Sequence, residues 1–312
     1  MGKTLSPDQL KVWTDRLEAG VSELHDSQRY ADYLSAMSKF HRYSYGNIIL
    51  ILQQCPHAQQ VAGYHKWKNT FGRQVKRYET GITILAPCKY KCQVKAETAG
   101  GDEEPVQDTA VVEKCRFRTE TVFDVSQTVG RELPSLGIAQ LTGNVEGYDS
   151  LIGALKELSP VPVDTGVLRA GAYGCYSHVE ERIIIQKDLT QVQTVKTLIH
   201  EIVHAKLHTL PVLNGVIMGS HQKGKSTREI EAESVAYVVC QYLGIDTSEY
   251  SLGYVAGWGR DREMREFKSS LTCIRNTAAE LIGGIESRCL KPEIERSAAE
   301  ETRRQTDRTA VR

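Results

Sequence analysis

No apolar run in this chain approaches the roughly 18–20 residues needed to cross a bilayer. The longest, Ile-Ile-Leu-Ile-Leu at 48–52, has the size of a buried core segment. The first residues, Met-Gly-Lys-Thr-Leu-Ser-Pro, lack the apolar stretch of an export signal. C-x-x-C pairs are missing too: the 8 cysteines are scattered, and Cys88 with Cys92 has no second pair to complete a structural zinc site. Without an export signal a disulfide framework has little support, so the expectation is reduced thiols in a cytoplasmic protein that does not meet a membrane. An excess of one charge is also absent. Lys and Arg total 39 and so do Asp and Glu, so whole-chain charge says nothing about partners. No repeat at a solenoid period is visible, and helix-turn-helix, zinc-finger and RRM signatures are lacking. What is present is 312 residues, 40% of them hydrophobic, enough for two cores.

Ser6-Pro7-Asp8-Gln9 reads as a capping box, followed by an apolar stripe of Leu10, Trp13, Leu17, Val21 and Leu24. Helical stretches follow at about 27–41 and 45–54, the latter ended by Pro56. Runs rich in β-branched and aromatic residues then predict strands at 60–67, 73–78, 82–86 and 115–125. Residues 97–108 form a polar Gly/Pro/acid loop. Punctuation by Thr, Gly, Pro and Ser from about 127 to 143 marks a domain boundary. Beyond it come a helical stripe at Tyr148, Leu151, Leu155 and Leu158, strands at 171–178 and 182–186, and a helix from Thr190 to about His208. A Gly-rich loop leads to a second capping box, Ser226-Thr227-Arg228-Glu229, opening a helix that ends at Gly244. A last helix carries apolar residues from Met264 to Ile285. The class predicted is α+β in two domains, residues 1–128 and 129–290, with a mobile charged tail at 291–312.

The sharpest local signal is His200-Glu201-Ile202-Val203-His204, an H-E-x-x-H run within the helix from Thr190. Residues four apart share a helix face, so both imidazoles can reach one zinc ion at about 2.0–2.1 Å. Glu201 is rotated off that line, poorly placed as a ligand but well placed to take a proton from water beside the ion. Leu198, Ile199, Ile202, Val203 and Leu207 surround the motif, where an uncompensated polar cluster would be costly. A catalytic zinc site needs a third protein ligand, and Glu229, Glu231 and Glu233 are available downstream. Glu231 heads the apolar line Glu231, Val235, Val238, Tyr242 and is the expected ligand. Glu229 has a capping role at hand, and either it or Glu233 could hydrogen-bond a ligand histidine. His208 lies one turn too far along to join the same ion and is expected to be a polar group at the helix C-terminus. His221, Tyr173 and Tyr176 are weaker candidates for stabilising an oxyanion. The strand before the metal helix could pair with an extended peptide if it forms a sheet edge.

From Lys39 to Lys95 the chain carries ten Lys or Arg and one acid, Glu79, interleaved with aromatics: Phe40-His41-Arg42-Tyr43-Ser44-Tyr45, Tyr64-His65-Lys66-Trp67-Lys68 and Lys89-Tyr90-Lys91. Cations that follow phosphates and rings that stack on bases are what single-stranded nucleic acid requires. The candidates for such contacts are Arg42, Tyr43, Tyr45, Tyr64, Lys66, Trp67, Lys68, Arg73 and Lys76. A solvated basic face with core aromatics is the competing reading.

The segments at 40–47, 61–67 (Val-Ala-Gly-Tyr-His-Lys-Trp), 72–76, 84–87 and 122–128 resemble the N-terminal domain of ArdC-type antirestriction proteins. Residues 196–204 and 228–237 are similar to the zincin domain of that family, which is akin to ImmA/IrrE peptidases. This resemblance implies an antirestriction protein of a mobile or conjugative element. Its N-terminal domain would bind single-stranded DNA, and its C-terminal domain would be a zinc metallopeptidase with His200 and His204 as ligands and Glu201 as catalytic residue. The Glu231-Ala232 pair matches the third-ligand position of the kin peptidases. Two alternatives stand beside it: a non-proteolytic protein that protects single-stranded DNA and holds zinc structurally, and a protease that cleaves a repressor.

Overall fold

The computed structural model describes residues 5–95, 109–133, 147–169, 171–220, 223–245 and 264–290. The acidic stretch at 97–108, His221 and the charged tail lie outside these residues. The fold is α+β, and the chain divides into two units. One comprises residues 1–22 and 49–131, the other 23–48 and 132–312. The units are thus interleaved rather than divided once near residue 128.

In the first unit, Ser6 and Gln9 form the expected reciprocal cap, with Gln9 N donating to Ser6 Oγ at 3.3 Å and Ser6 N to Gln9 Oε1 at 3.0 Å. They open α1 (Pro7–Glu23). Gly20 lets α1 approach α3 (Tyr45–Gln54), since a Cβ there would lie 2.4 Å from Ile49 Cγ2. Strands β1 (Val61–Gly63), β3 (Ile82–Lys95) and β4 (Thr109–Asp124) form an antiparallel sheet in the order β1-β4-β3, and β2 (Arg73–Val75) pairs with β5 (Thr128–Gly130). β3 and β4 extend well past β1 as a two-stranded ribbon, longer than the sequence pattern predicts. The predicted strand at 60–67 stops at Gly63, and α4 (Tyr64–Asn69) follows. That turn of helix buries Trp67, whose Nε1 donates to Phe123 O at 2.8 Å.

Asp124 is the polar hub of this unit. Fully buried, it accepts from Gln59 N and Gln60 N on one oxygen and from Ser126 N and Ser126 Oγ on the other, at 2.6–3.0 Å. It thereby caps the 3-10 turn Val125–Gln127 and fixes the chain entering β1.

In the second unit, Asp26 caps α2 (Ser27–Phe40), and Tyr30 OH lies 3.0 Å from Ser234 Oγ of α7 (Lys225–Tyr242). That contact explains why residues 23–48 fold with the later part of the chain. Strands β6 (Val163–Gly166), β7 (Gly174–Ser177) and β8 (Arg182–Gln186) form a sheet in the order β6-β8-β7, with β6 parallel and β7 antiparallel to β8. α5 (Tyr148–Leu158), α6 (Gln191–Leu207) and α8 (Met264–Ile285) complete the unit, with a two-stranded hairpin of β9 (Val212–Leu213) and β10 (Val216–Ile217) between α6 and α7. α7 is packed by α6, α8 and α2 and buries apolar residues all round, including Ile230, Ala232, Val235, Val238 and Val239. Among the described residues no helix is long and apolar enough to cross a membrane, and no disulfide forms.

Burial alone would raise the Asp124 pKa, but its four donors outweigh that and hold it below the usual 3.8. A carboxylate lowered in the folded state stabilises it above the unfolded value and loses that contribution as pH falls through the folded value. Asp124→Asn should therefore flatten the acid limb of stability as well as weaken the fold. Asp124→Ala, which strands buried donors, should destabilise by at least about 2 kcal/mol. Denaturant melts from neutral pH into acid check both; an unchanged acid limb in the Asn variant would contradict this role.

Candidate metal centre

The side chain of Thr190 accepts from Gln193 N at 3.2 Å and starts α6, which carries His200 and His204 on one face. Their Nε2 atoms lie 3.0 Å apart. Glu229 of α7 presents Oε2 to both, at 3.6 Å from His200 Nε2 and 3.5 Å from His204 Nε2. His200, His204 and Glu229 are the one cluster of metal-capable donors found among the described residues. Donors around a tetrahedral zinc at 2.0–2.1 Å sit about 3.3 Å apart, so two imidazole nitrogens and one carboxylate oxygen at these separations fit such an ion.

The expected third ligand is displaced by this arrangement. Glu231 is fully buried but does not contact the histidine pair, holding His208 Nε2 at 3.0 Å and Lys223 Nζ at 2.6 Å instead. Positions two apart on a helix point about 200° apart, so Glu229 and Glu231 cannot both meet the same pair of imidazoles. Apolar neighbours could not show which, because α7 is buried on several sides and inward has more than one direction. The capping box that was to occupy Glu229 does not form either. α7 begins behind Gly224, which makes no side-chain cap, and leaves Glu229 past the first turn. Glu233 lies 3.5 Å from His200 Nδ1, behind the ring rather than in the cluster.

Burial lowers the His200 pKa, but Glu229, Glu233 and Glu201 outweigh it and raise it overall; the two histidines hold Glu229 well below the usual carboxylate range. Glu201 is buried, and that burial raises its pKa despite His200, His204 and a hydrogen bond from the backbone of Tyr176. Its neighbour is β7. Gly174 passes so close that a Cβ would lie 2.5 Å from Thr197 Cγ2 and 2.9 Å from Glu201 Oε1. Among the described residues β7 pairs with β8 alone, which makes it the sheet edge on the side of the histidine helix. Tyr176 OH lies 3.0 Å from Thr209 Oγ1, and Tyr173 is exposed.

Sequence reasoning missed His208 as a functional neighbour. It is buried, with Nδ1 2.9 Å from His204 Nδ1. Its signal in the sequence is the four-residue spacing from His204, which puts it on the same helix face although too far along to reach the same ion.

The nucleic-acid candidates divide between the units. Arg42, Tyr43 and Tyr45 belong to the second, where Arg42 pairs with Glu286 at 3.0 Å and the Tyr43 carbonyl accepts from Arg275 at 2.6 Å. In the first unit, buried Trp67 cannot stack on a base. Arg73 uses its guanidinium internally, on Thr128 Oγ1, Thr128 O, Gly130 O and Arg131 O. Lys76 donates to Ser126 O at 2.7 Å. Tyr64, Lys66 and Lys68 are exposed on α4. Tyr78, absent from the sequence candidates, is 99% exposed at a positive φ of 65° in the turn before β3.

Two histidines one helical turn apart, with a carboxylate from a second helix and a buried glutamate beside the first histidine, define a protein with a candidate metal centre of two imidazoles and one carboxylate. Residues 14–123 match the family described as the N-terminal domain of anti-restriction factor ArdC. It is 26% identical over 332 residues to the uncharacterized protein pXO2-81 of Bacillus anthracis, covering 93% of this chain and 53% of that protein. The chain thus spans about half the length of the curated relative it matches. It also resembles two crystal structures of the antirestriction protein ArdC from the R388 plasmid. The metal-free form is 18% identical with a TM-score of 0.42, covering 77% of this chain and 82% of that one. The Mn(II)-bound form is 17% identical with a TM-score of 0.45, covering 79% and 84%.

Gly174→Ala should force β7 away from Glu201, destabilising the chain by about 1–3 kcal/mol. Thermal melts test this. A melt identical to wild type would show that the strand and helix need no such close approach.

Proposed function

We propose that the chain is an antirestriction protein of a mobile element whose second unit is a zinc-dependent endopeptidase and whose first unit binds single-stranded DNA. The observation that carries the peptidase reading is the convergence of His200, His204 and Glu229 beside the buried carboxylate of Glu201. Zinc held by those three residues would supply Lewis acidity to a peptide carbonyl and to water. Glu201 takes the proton of the attacking water as oxygen bonds to the carbonyl carbon, then delivers it to the amine nitrogen as the C–N bond breaks. Burial raises its pKa, which suits a group that must both take and give a proton. The edge of β7, unpaired by any other described strand and reaching Glu201 through the Tyr176 backbone, suits an extended peptide laid antiparallel to it. The DNA reading is supported by the ArdC-type domain match and by Tyr64, Lys66, Lys68 and Tyr78, which leave cations and rings at the surface of the first unit.

Wild type should bind one zinc per chain. Glu229→Gln and His204→Ala should each weaken zinc binding by more than the about 10–100-fold typical of losing an outer hydrogen-bond partner. Glu201→Gln should keep zinc and fold while losing cleavage of a casein-type substrate or of single-strand-associated proteins. Cleavage at the wild-type rate in Glu201→Gln would refute the peptidase assignment.

Replacing Lys66 and Lys68 by Gln should lower the log–log salt slope for a labelled single-stranded oligonucleotide by about 1.4, or ~0.7 per phosphate contact. Tyr78→Ala should cost about 1–3 kcal/mol of binding without changing that slope. Arg73→Gln should instead lower stability. Unchanged affinity and slope in the double lysine variant would remove the DNA role from this surface.

A further inference from the structure

Beyond the cluster itself, α6 and α7 hold a buried polar chain. His204 Nδ1 lies 2.9 Å from His208 Nδ1, His208 Nε2 lies 3.0 Å from Glu231 Oε2, and Lys223 Nζ donates to Glu231 Oε1 at 2.6 Å. His208 is nearly inaccessible and Glu231 fully so. With both imidazoles neutral, each hydrogen bond in this chain has one possible direction. An ionised carboxylate only accepts, so His208 must carry its proton on Nε2, which leaves Nδ1 as an acceptor. His204 must then carry its proton on Nδ1 and turn the lone pair of Nε2 toward His200 and Glu229.

We infer that His208, Glu231 and Lys223 form a relay that fixes the tautomer of His204, making its Nε2 a ready ligand; Glu231 and His208 are positioning residues, not ligands. This inference rests on the metal-site reading above. A neutral imidazole in the wrong tautomer would have to exchange its proton before binding an ion, so the relay prepares the site in the metal-free protein. It also accounts for a buried carboxylate two residues from Glu229: its charge is compensated by Lys223 and read by His204 through His208. His200 has a shorter counterpart, with Glu233 3.5 Å behind its Nδ1.

The isosteric change Glu231→Gln inverts the relay. The Lys223 ammonium can only donate, so it keeps the glutamine carbonyl at the Oε1 position and turns the amide NH2 toward His208. That donor makes His208 Nε2 an acceptor, moves the His208 proton to Nδ1 and the His204 proton to Nε2, and blocks the ligand lone pair. In metal-free wild type, with both rings neutral, long-range 1H–15N NMR should find His204 protonated on Nδ1 and His208 on Nε2. In Glu231→Gln both should be reversed, and zinc alone, titrated against a chelator, should bind about 10–100-fold more weakly. Adding Lys223→Met frees the glutamine to rotate its carbonyl onto His208 and should restore the original tautomers.

Wild-type His204 protonated on Nε2 would overturn the relay whether or not the variants fold, and so would unchanged tautomers in a folded Glu231→Gln protein. Wild type with the expected tautomers but no zinc affinity would sustain the relay while refuting the metal-site reading.

Discussion

A helix packed on several sides cannot bury acidic residues without a partner for each, and α7 carries Glu231, fully buried, and Glu229, half-buried. Removing a carboxylate from water is costly unless opposing charge and hydrogen bonds replace the water. The fold meets this for both. Glu229 faces the imidazoles of α6, and Glu231 faces His208 and Lys223. Where α6 lies against α7, and therefore where the two histidines stand, is bound to these contacts. The edge of β7, brought close by Gly174, then sets Glu201 at the border of the cluster.

In the first unit the same tension between holding and presenting appears among basic and aromatic residues. Asp124 gathers four donors and thereby joins the turn before β5 to the start of β1. Arg73 spends its guanidinium on the carbonyls and hydroxyl around β5, and Trp67 anchors α4 to β4. Lys66, Lys68, Tyr64 and Tyr78, close to them in sequence, remain at the surface. Residue type alone does not separate the two groups, because a guanidinium is equally suited to a carbonyl cage and to a phosphate.

Much of the local architecture was legible. The Ser6–Gln9 cap, the span of α3 and strand β8 follow from hydrophobic spacing and stop signals, which act within a few residues. So does the placement of His200 and His204 on one face, a consequence of helix pitch. Less legible was α4, whose six residues look like a strand until Trp67 has a buried place to go. The capping box at Ser226 was equally persuasive and did not form, since the chain entered the helix through Gly224.

The metal-capable pair, the glutamate between its members and the α+β character of the chain can be read from neighbouring residues, because helix pitch and alternation are properties of neighbours along the backbone. That Glu229 rather than Glu231 meets the histidines, that Glu231 stands behind His208, and that residues 23–48 fold with the later half are settled by packing between distant segments. Those outcomes depend on which of several buried sides of α7 meets which helix. That choice is made by contacts between segments as distant as Tyr30 and Ser234, and no local pattern encodes it.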